Sequence, residues 1–218
     1  MSSRSDLRWV WIRLYRELGA RGNSIEVYNQ IADRYSEPHR YYHTLTHIEH
    51  CLRELQAYRL EIPNRHAVEL ALWLHDVVYD TKLLNLNELT SEDLSAEYAM
   101  ALMCTAGLPQ TLQDDVRRLI LITKHNALPQ QDDEKILVDI DLAILGQPKE
   151  IFDEYEANVR KEYGWVSEED FTKGRIKVLE SFLSRNRIYS TEFFHDKYSE
   201  QAEINMDRSL TALERKIF

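Results

Sequence analysis

From Ala67 to Val78 the chain is almost unbroken apolar sequence: Ala67-Val68-Glu69-Leu70-Ala71-Leu72-Trp73-Leu74 and then, past His75-Asp76, Val77-Val78. A helix over about 65–79 built from these residues has no polar face to give to water, so it belongs at the centre of a core with other elements wrapped around it. The rest of the chain supplies those elements. Apolar residues recur at three- and four-residue spacing over about 5–20, 24–35, 44–58, 91–106, 110–125, 148–163, 167–185 and 190–214. The segment 80–91 and the segment 126–133 read as polar loops. Ile136 to Leu145 is rich in β-branched residues, but Leu142, Ala143 and Leu145 continue the run and Gly146-Gln147-Pro148 stops it, so it reads as a buried helix. Six glycines and five prolines in 218 residues are too few for a turn-rich sandwich or barrel. The expectation is one all-α domain, residues 1–218, of nine or ten helices.

Net charge narrows the partners. With 27 basic and 37 acidic residues the chain carries −10, which argues against bulk binding to a nucleic-acid backbone and leaves room for one local anion site. No run of 18 apolar residues occurs, so no transmembrane helix is expected. Charges break the apolar stretch that follows Met1, so a signal peptide is not expected either. Cys51 and Cys104 both fall in helical patterns and read as buried thiols, which makes the cytoplasm the simplest location. The aromatic set Trp9, Trp11 and Tyr15 reads as core or subunit contact. A homo-oligomer, through that N-terminal helix or the long C-terminal one, is left open against packing on the chain's own core.

Three segments carry polar chemistry: Tyr42-His43-Thr44-Leu45-Thr46-His47, Trp73-Leu74-His75-Asp76-Val77-Val78-Tyr79-Asp80 and Asp139-Ile140-Asp141. Ionisable side chains inside apolar helices are costly unless something pairs with them, and a metal ion is a natural partner. His43 and His47, four apart, share a face if their helix starts early enough. His75 and Asp76 sit about 100° apart on a helix and can still reach one ion. Asp141 would come from a third helix alongside. Imidazole with carboxylate suits Mn, Mg, Co, Ni, Zn or Fe, as one ion or two.

The ordered series His, His-Asp, Asp resembles the HD superfamily of metal-dependent phosphohydrolases, and most closely its predicted phosphohydrolase branch. Six segments carry the resemblance: Tyr42 to His47, Trp73 to Asp80, Glu92-Asp93-Leu94-Ser95-Ala96, Thr123-Lys124-His125, Asp139 to Gly146, and Gly174-Arg175. Together they span about residues 40–205. The resemblance implies a single HD-type helical bundle, with a metal-site core at about 40–146 and C-terminal helices 148–214 packed on it. It also implies a divalent metal cofactor and hydrolysis of a small phosphorylated substrate, a nucleotide among the candidates.

By the same resemblance the metal ligands are His47, His75, Asp76 and Asp141, with Asp139 second to Asp141. His43 matches a histidine that protonates the leaving oxygen in cyclic-nucleotide phosphodiesterases. His125 is a candidate phosphate contact, second-metal ligand or leaving-group acid. Glu92 is a candidate catalytic acid, with Glu88 as its rival because the preceding loop is longer than usual. Lys124 and Arg175 are candidates to hold phosphate oxygens. Plainer readings stand beside these: a hydrogen-bonded His75–Asp76 core pair, a helix-start His43, a helix-end His125, a first-turn Glu92 and an ion-paired Arg175. His39, His50, His66 and His195 read as surface or packing residues. Two other functions stay open, a di-iron oxygenase using His125 and Glu92 as extra ligands and a non-catalytic ligand-binding module.

Overall fold

The computed structural model of the chain describes residues 4–82 and 89–216. Among the described residues every regular element is helical. There are two compact units, residues 1–137 and 138–218, and the boundary falls inside one helix.

The first unit holds α1 (Arg4–Glu17), α2 (Ser24–Arg34), α3 (Leu45–Ala57), α4 (Arg65–Leu74), α5 (Ser91–Thr105), α6 (Gln110–Ile122) and the start of α7 (Asp132–Asp141). As its composition requires, α4 is the hub, packed against α3, α5 and α6. Every residue from Ala67 to Leu74 is buried. Trp73 lies edge-on to Trp11 of α1 at 5.4 Å and to Tyr28 of α2 at 6.2 Å, the geometry that aromatic quadrupoles favour. Glu69 is tolerated in this helix because Arg13 donates to it at 2.6 Å. Burial still raises its pKa above the ordinary carboxyl value.

Two helix ends show why the glycines stand where they do. After α1 and after α5, Gly19 (φ 64°) and Gly107 (φ 69°) take the left-handed conformation that a side chain resists. The next amides close six-residue loops, Ala20 N–H to Tyr15 O at 3.1 Å and Leu108 N–H to Met103 O at 3.0 Å. The start of α5 is a capping box between Thr90 and Asp93. The cap is therefore Thr90.

Three expectations change. The helix expected over 65–79 stops at Leu74. Side chains take the carbonyls that would have continued it: Tyr35 Oη donates to Trp73 O at 3.0 Å, and Arg40 donates to Asp76 O at 2.6 Å and Val77 O at 3.1 Å. The loop expected to reach 133 ends sooner, because α7 begins at Asp132 with three acids in its first turn, where the helix dipole favours them. Cys104 is exposed, whereas Cys51 is buried as expected. In the N-terminal aromatic set Trp11 and Tyr15 are core, while Trp9 is 62% exposed.

The second unit holds the remainder of α7, a short 3-10 turn (Leu142–Ile144), α8 (Lys149–Glu162), α9 (Glu168–Leu183) and α10 (Glu192–Glu214). α9 packs along α10, and α8 packs on the 3-10 turn. Polar groups tie the turn to α10. Asn205 donates to Leu145 O and Gln147 O at 2.9 and 2.8 Å, and Tyr189 Oη donates to Leu142 O at 3.0 Å. Gly146 is required by proximity, since a Cβ there would lie 2.5 Å from Cβ of Tyr198. No described helix is long and apolar enough to cross a membrane.

Two stability predictions follow from these contacts. Arg118 holds Asp133 at 2.6 Å and Glu134 at 2.8 Å. Burial alone would raise both carboxyls. Hydrogen bonds from Arg118 and Asn64 to Asp133, and from the Gln130 amide and Arg118 to Glu134, outweigh it and lower both. A lowered carboxyl stabilises the fold above its ordinary pKa of about 4, and that stability is lost as the pH falls through the lowered value. Arg118→Ala should therefore cost about 2–4 kcal/mol at pH 7 and less at pH 3, measured by urea unfolding. An equal loss at both pH values would contradict this account. In the second unit Asp139 accepts from Ser190 N–H, Thr191 N–H and Thr191 Oγ1 at 2.7–2.8 Å, just before α10. Asp139→Ala should lower stability by about 1 kcal/mol, because two partly buried amides at the start of α10 lose their acceptor. An unchanged melting temperature would show that these bonds contribute nothing.

Candidate metal centre

His47 stands in the first turn of α3. Thr44 caps that helix by accepting from Thr46 N–H at 3.3 Å. The cap decides the geometry, since His43 precedes it and so lies outside the helix. His43 and His47 therefore do not share a helical face as their four-residue spacing suggested, although their rings approach to 6.0 Å between centroids. His75 is the C-cap residue of α4, and Asp76 follows in the turn. The most apolar helix of the chain thus ends at His75-Asp76 rather than carrying the pair mid-span.

These three side chains converge. His47 Nε2 lies 3.1 Å from His75 Nε2 and 3.6 Å from Asp76 Oδ2, and His75 Nε2 lies 3.0 Å from the same oxygen. All three residues are buried. His75 Nδ1 lies 3.1 Å from Leu72 O, so the proton belongs on Nδ1 and Nε2 turns its lone pair toward the cluster. Burial would raise the Asp76 carboxyl, but His75, His43 and His47 beside it hold it well below the usual carboxylate range. Asp76 thus presents a carboxylate anion to the two imidazole rings.

That donor set fits a divalent ion. Metal–nitrogen and metal–oxygen bonds of about 2.0–2.2 Å put neighbouring donors about 3.0–3.5 Å apart, close to the spacings seen here. The cluster of His47, His75 and Asp76 in the first unit therefore has the donor chemistry to hold a metal ion.

Around the cluster, Tyr42 approaches His47 with ring centroids 4.9 Å apart. His43 is half-buried and stacks on Tyr79 at 4.0 Å and 24°. Cys51, one turn after His47 on α3, brings its Sγ within 3.7–3.8 Å of both His47 ring nitrogens. The sequence reading did not single out Cys51 or Tyr79 for the site, although His47 and Cys51 at i and i+4 were readable as one helical face. Ser95, which the sequence gives only as part of the Glu92 to Ala96 segment, accepts from Val78 N–H and donates to Val78 O, both at 3.0 Å. That double bond pins the chain just past Asp76 to α5.

The other expected residues take up the following places. Lys124 lies just beyond α6 and is paired with Asp93 Oδ1 at 2.6 Å. His125 adopts φ 54° in the left-handed region. Glu92 is half-buried in the first turn of α5, and its rival Glu88 lies outside the described residues. In the second unit Asp141 ends α7 and is half-buried. Asp139 is spent on the start of α10. Arg175 donates to Glu156 and, at 2.9 Å, to Tyr155 Oη, so its guanidinium is engaged as an ion pair. Of the remaining histidines, His39 is exposed but donates to Tyr79 O at 2.7 Å.

Comparison with models of known families, with curated proteins and with solved structures returns no match.

Proposed function

We propose that the chain is a metal-dependent phosphohydrolase of a small phosphoester, its ion held by His47, His75 and Asp76, with Asp141 the further ligand that the resemblance implies. The observation that carries the reading is the buried convergence of His47 Nε2, His75 Nε2 and Asp76 Oδ2 within 3.6 Å of one another. Two imidazoles and an ionised carboxylate in so dry a place are costly unless a cation repays them. The choice of phosphoryl chemistry rests on the six ordered segments that resemble the HD superfamily, and so does the assignment of Asp141.

A divalent ion there supplies, when bound, an acidified water and a polarised phosphoryl oxygen. The chain's own groups do the rest. His43 is held against Tyr79 beside Asp76, in position to protonate the leaving oxygen. Lys124 supplies a cation for phosphate oxygens, exchanging Asp93 for the substrate. His125 keeps a backbone conformation that costs a non-glycine residue about 1–2 kcal/mol, and such strain clusters at functional sites.

Metal content is the first test. Protein purified without a metal-affinity tag should carry, or take up, one to two equivalents of a transition ion. Asp76→Ala should lose it, together with at least about 100-fold of phosphate release from a panel of small phosphoesters. Chelation should abolish release and added Mn²⁺ restore it. A chain that binds no ion even when ions are added would end this reading. The His125 role has its own signature: His125→Gly should stabilise the fold by up to about 1 kcal/mol through relief of strain while slowing hydrolysis. Unchanged hydrolysis would remove His125 from the mechanism.

A further inference from the structure

We infer that Arg40 is the positioning residue of the metal centre, a buried strut that sets the His75-Asp76 turn against the His43 segment without touching the ion. The inference rests on the metal-dependent reading above and names a residue that reading does not use. The Arg40 side chain has no solvent exposure. Nε donates to Glu37 Oε2 at 3.0 Å. Nη1 donates to two carbonyls, His43 O at 3.2 Å and Asp76 O at 2.6 Å, and Nη2 donates to Val77 O at 3.1 Å. Its guanidinium carbon lies 5.2 Å from the centre of the Tyr35 ring and 5.7 Å from that of Tyr79.

Each contact belongs to a different part of the centre. The His43 carbonyl leads into α3 and His47, while the Asp76 and Val77 carbonyls belong to the turn that carries the carboxylate. Tyr79 is the ring on which His43 stacks. One planar cation thus sets the spacing between the two halves. A second bond runs between the same segments, from His39 to Tyr79 O at 2.7 Å. Only the guanidinium fork can serve the carbonyls on both sides at once while meeting the ring faces. Lysine would keep the charge but not the fork.

The test separates positioning from bulk stability. Mn²⁺ alone is the probe, titrated into the full chain by calorimetry for wild type, Arg40→Lys, and Val116→Ala as a core control in α6. Arg40→Lys should weaken Mn²⁺ binding at least tenfold and speed amide hydrogen exchange locally across residues 75–79. Val116→Ala should melt at a lower temperature yet bind Mn²⁺ like wild type. Equal Mn²⁺ affinity in Arg40→Lys and wild type overturns the inference, as does a loss of affinity that Val116→Ala reproduces. If wild type takes up neither Mn²⁺ nor any other added divalent ion, the hydrolase reading fails and exchange alone decides on Arg40. Faster exchange confined to 75–79 then sustains the strut, and unchanged exchange removes it.

Discussion

The end of α4 governs this protein. A helix of apolar residues must be buried along its whole length, so its last carbonyls are buried too and cannot turn to water. The chain answers with side chains from elsewhere: Tyr35 on Trp73 O, the His75 ring on Leu72 O, and Arg40 on Asp76 O and Val77 O. Those same bonds hold an imidazole and a carboxylate beside His47. Satisfying the helix end and building the centre are a single problem with one solution.

The polar groups buried in the two units do different work. In the first unit Glu69, Asp133 and Glu134 each face an arginine, so their charges are closed locally. His47, His75 and Asp76 face one another instead, and no Arg or Lys ion pair closes onto Asp76 among the described residues. In the second unit Asp139 and Asn205 act mainly on backbone, the first on the start of α10 and the second on the turn after Ile144. Packing accounts for the last two residues, and the centre is the group with the donor chemistry to hold a cation.

Much of this was legible in the sequence because its strongest signals are periodic. The helices follow from apolar spacing, and His47 with His75-Asp76 stood out as polar residues in apolar surroundings. What was not legible depends on contacts distant in the chain. Nothing local says that Arg40 will reach residues 76 and 77, and so nothing local ends α4 at Leu74 rather than near residue 79. The cap at Thr44, which takes His43 off the helix, was in the sequence but competed with the stronger pattern of two histidines four apart. Arg175 read equally as a phosphate ligand or an ion-pair residue, and its engagement with Glu156 and Tyr155 came only with the fold. Thr90 and Ser91 were near-equivalent caps by composition, and the reciprocal bond to Asp93 decides between them.

The aromatic packing around α4 has an optical consequence. Trp73 is fully buried two residues before His75, and Trp11 lies against it, while Trp9 and Trp165 are 62% and 44% exposed. A soluble quencher such as iodide reaches the second pair and spares the first. The blue-shifted emission that survives comes from the inner pair, one member of which shares its backbone with the end of α4. The protein therefore carries a native fluorophore two residues from the His75-Asp76 turn, and the state of that turn can be followed without labelling.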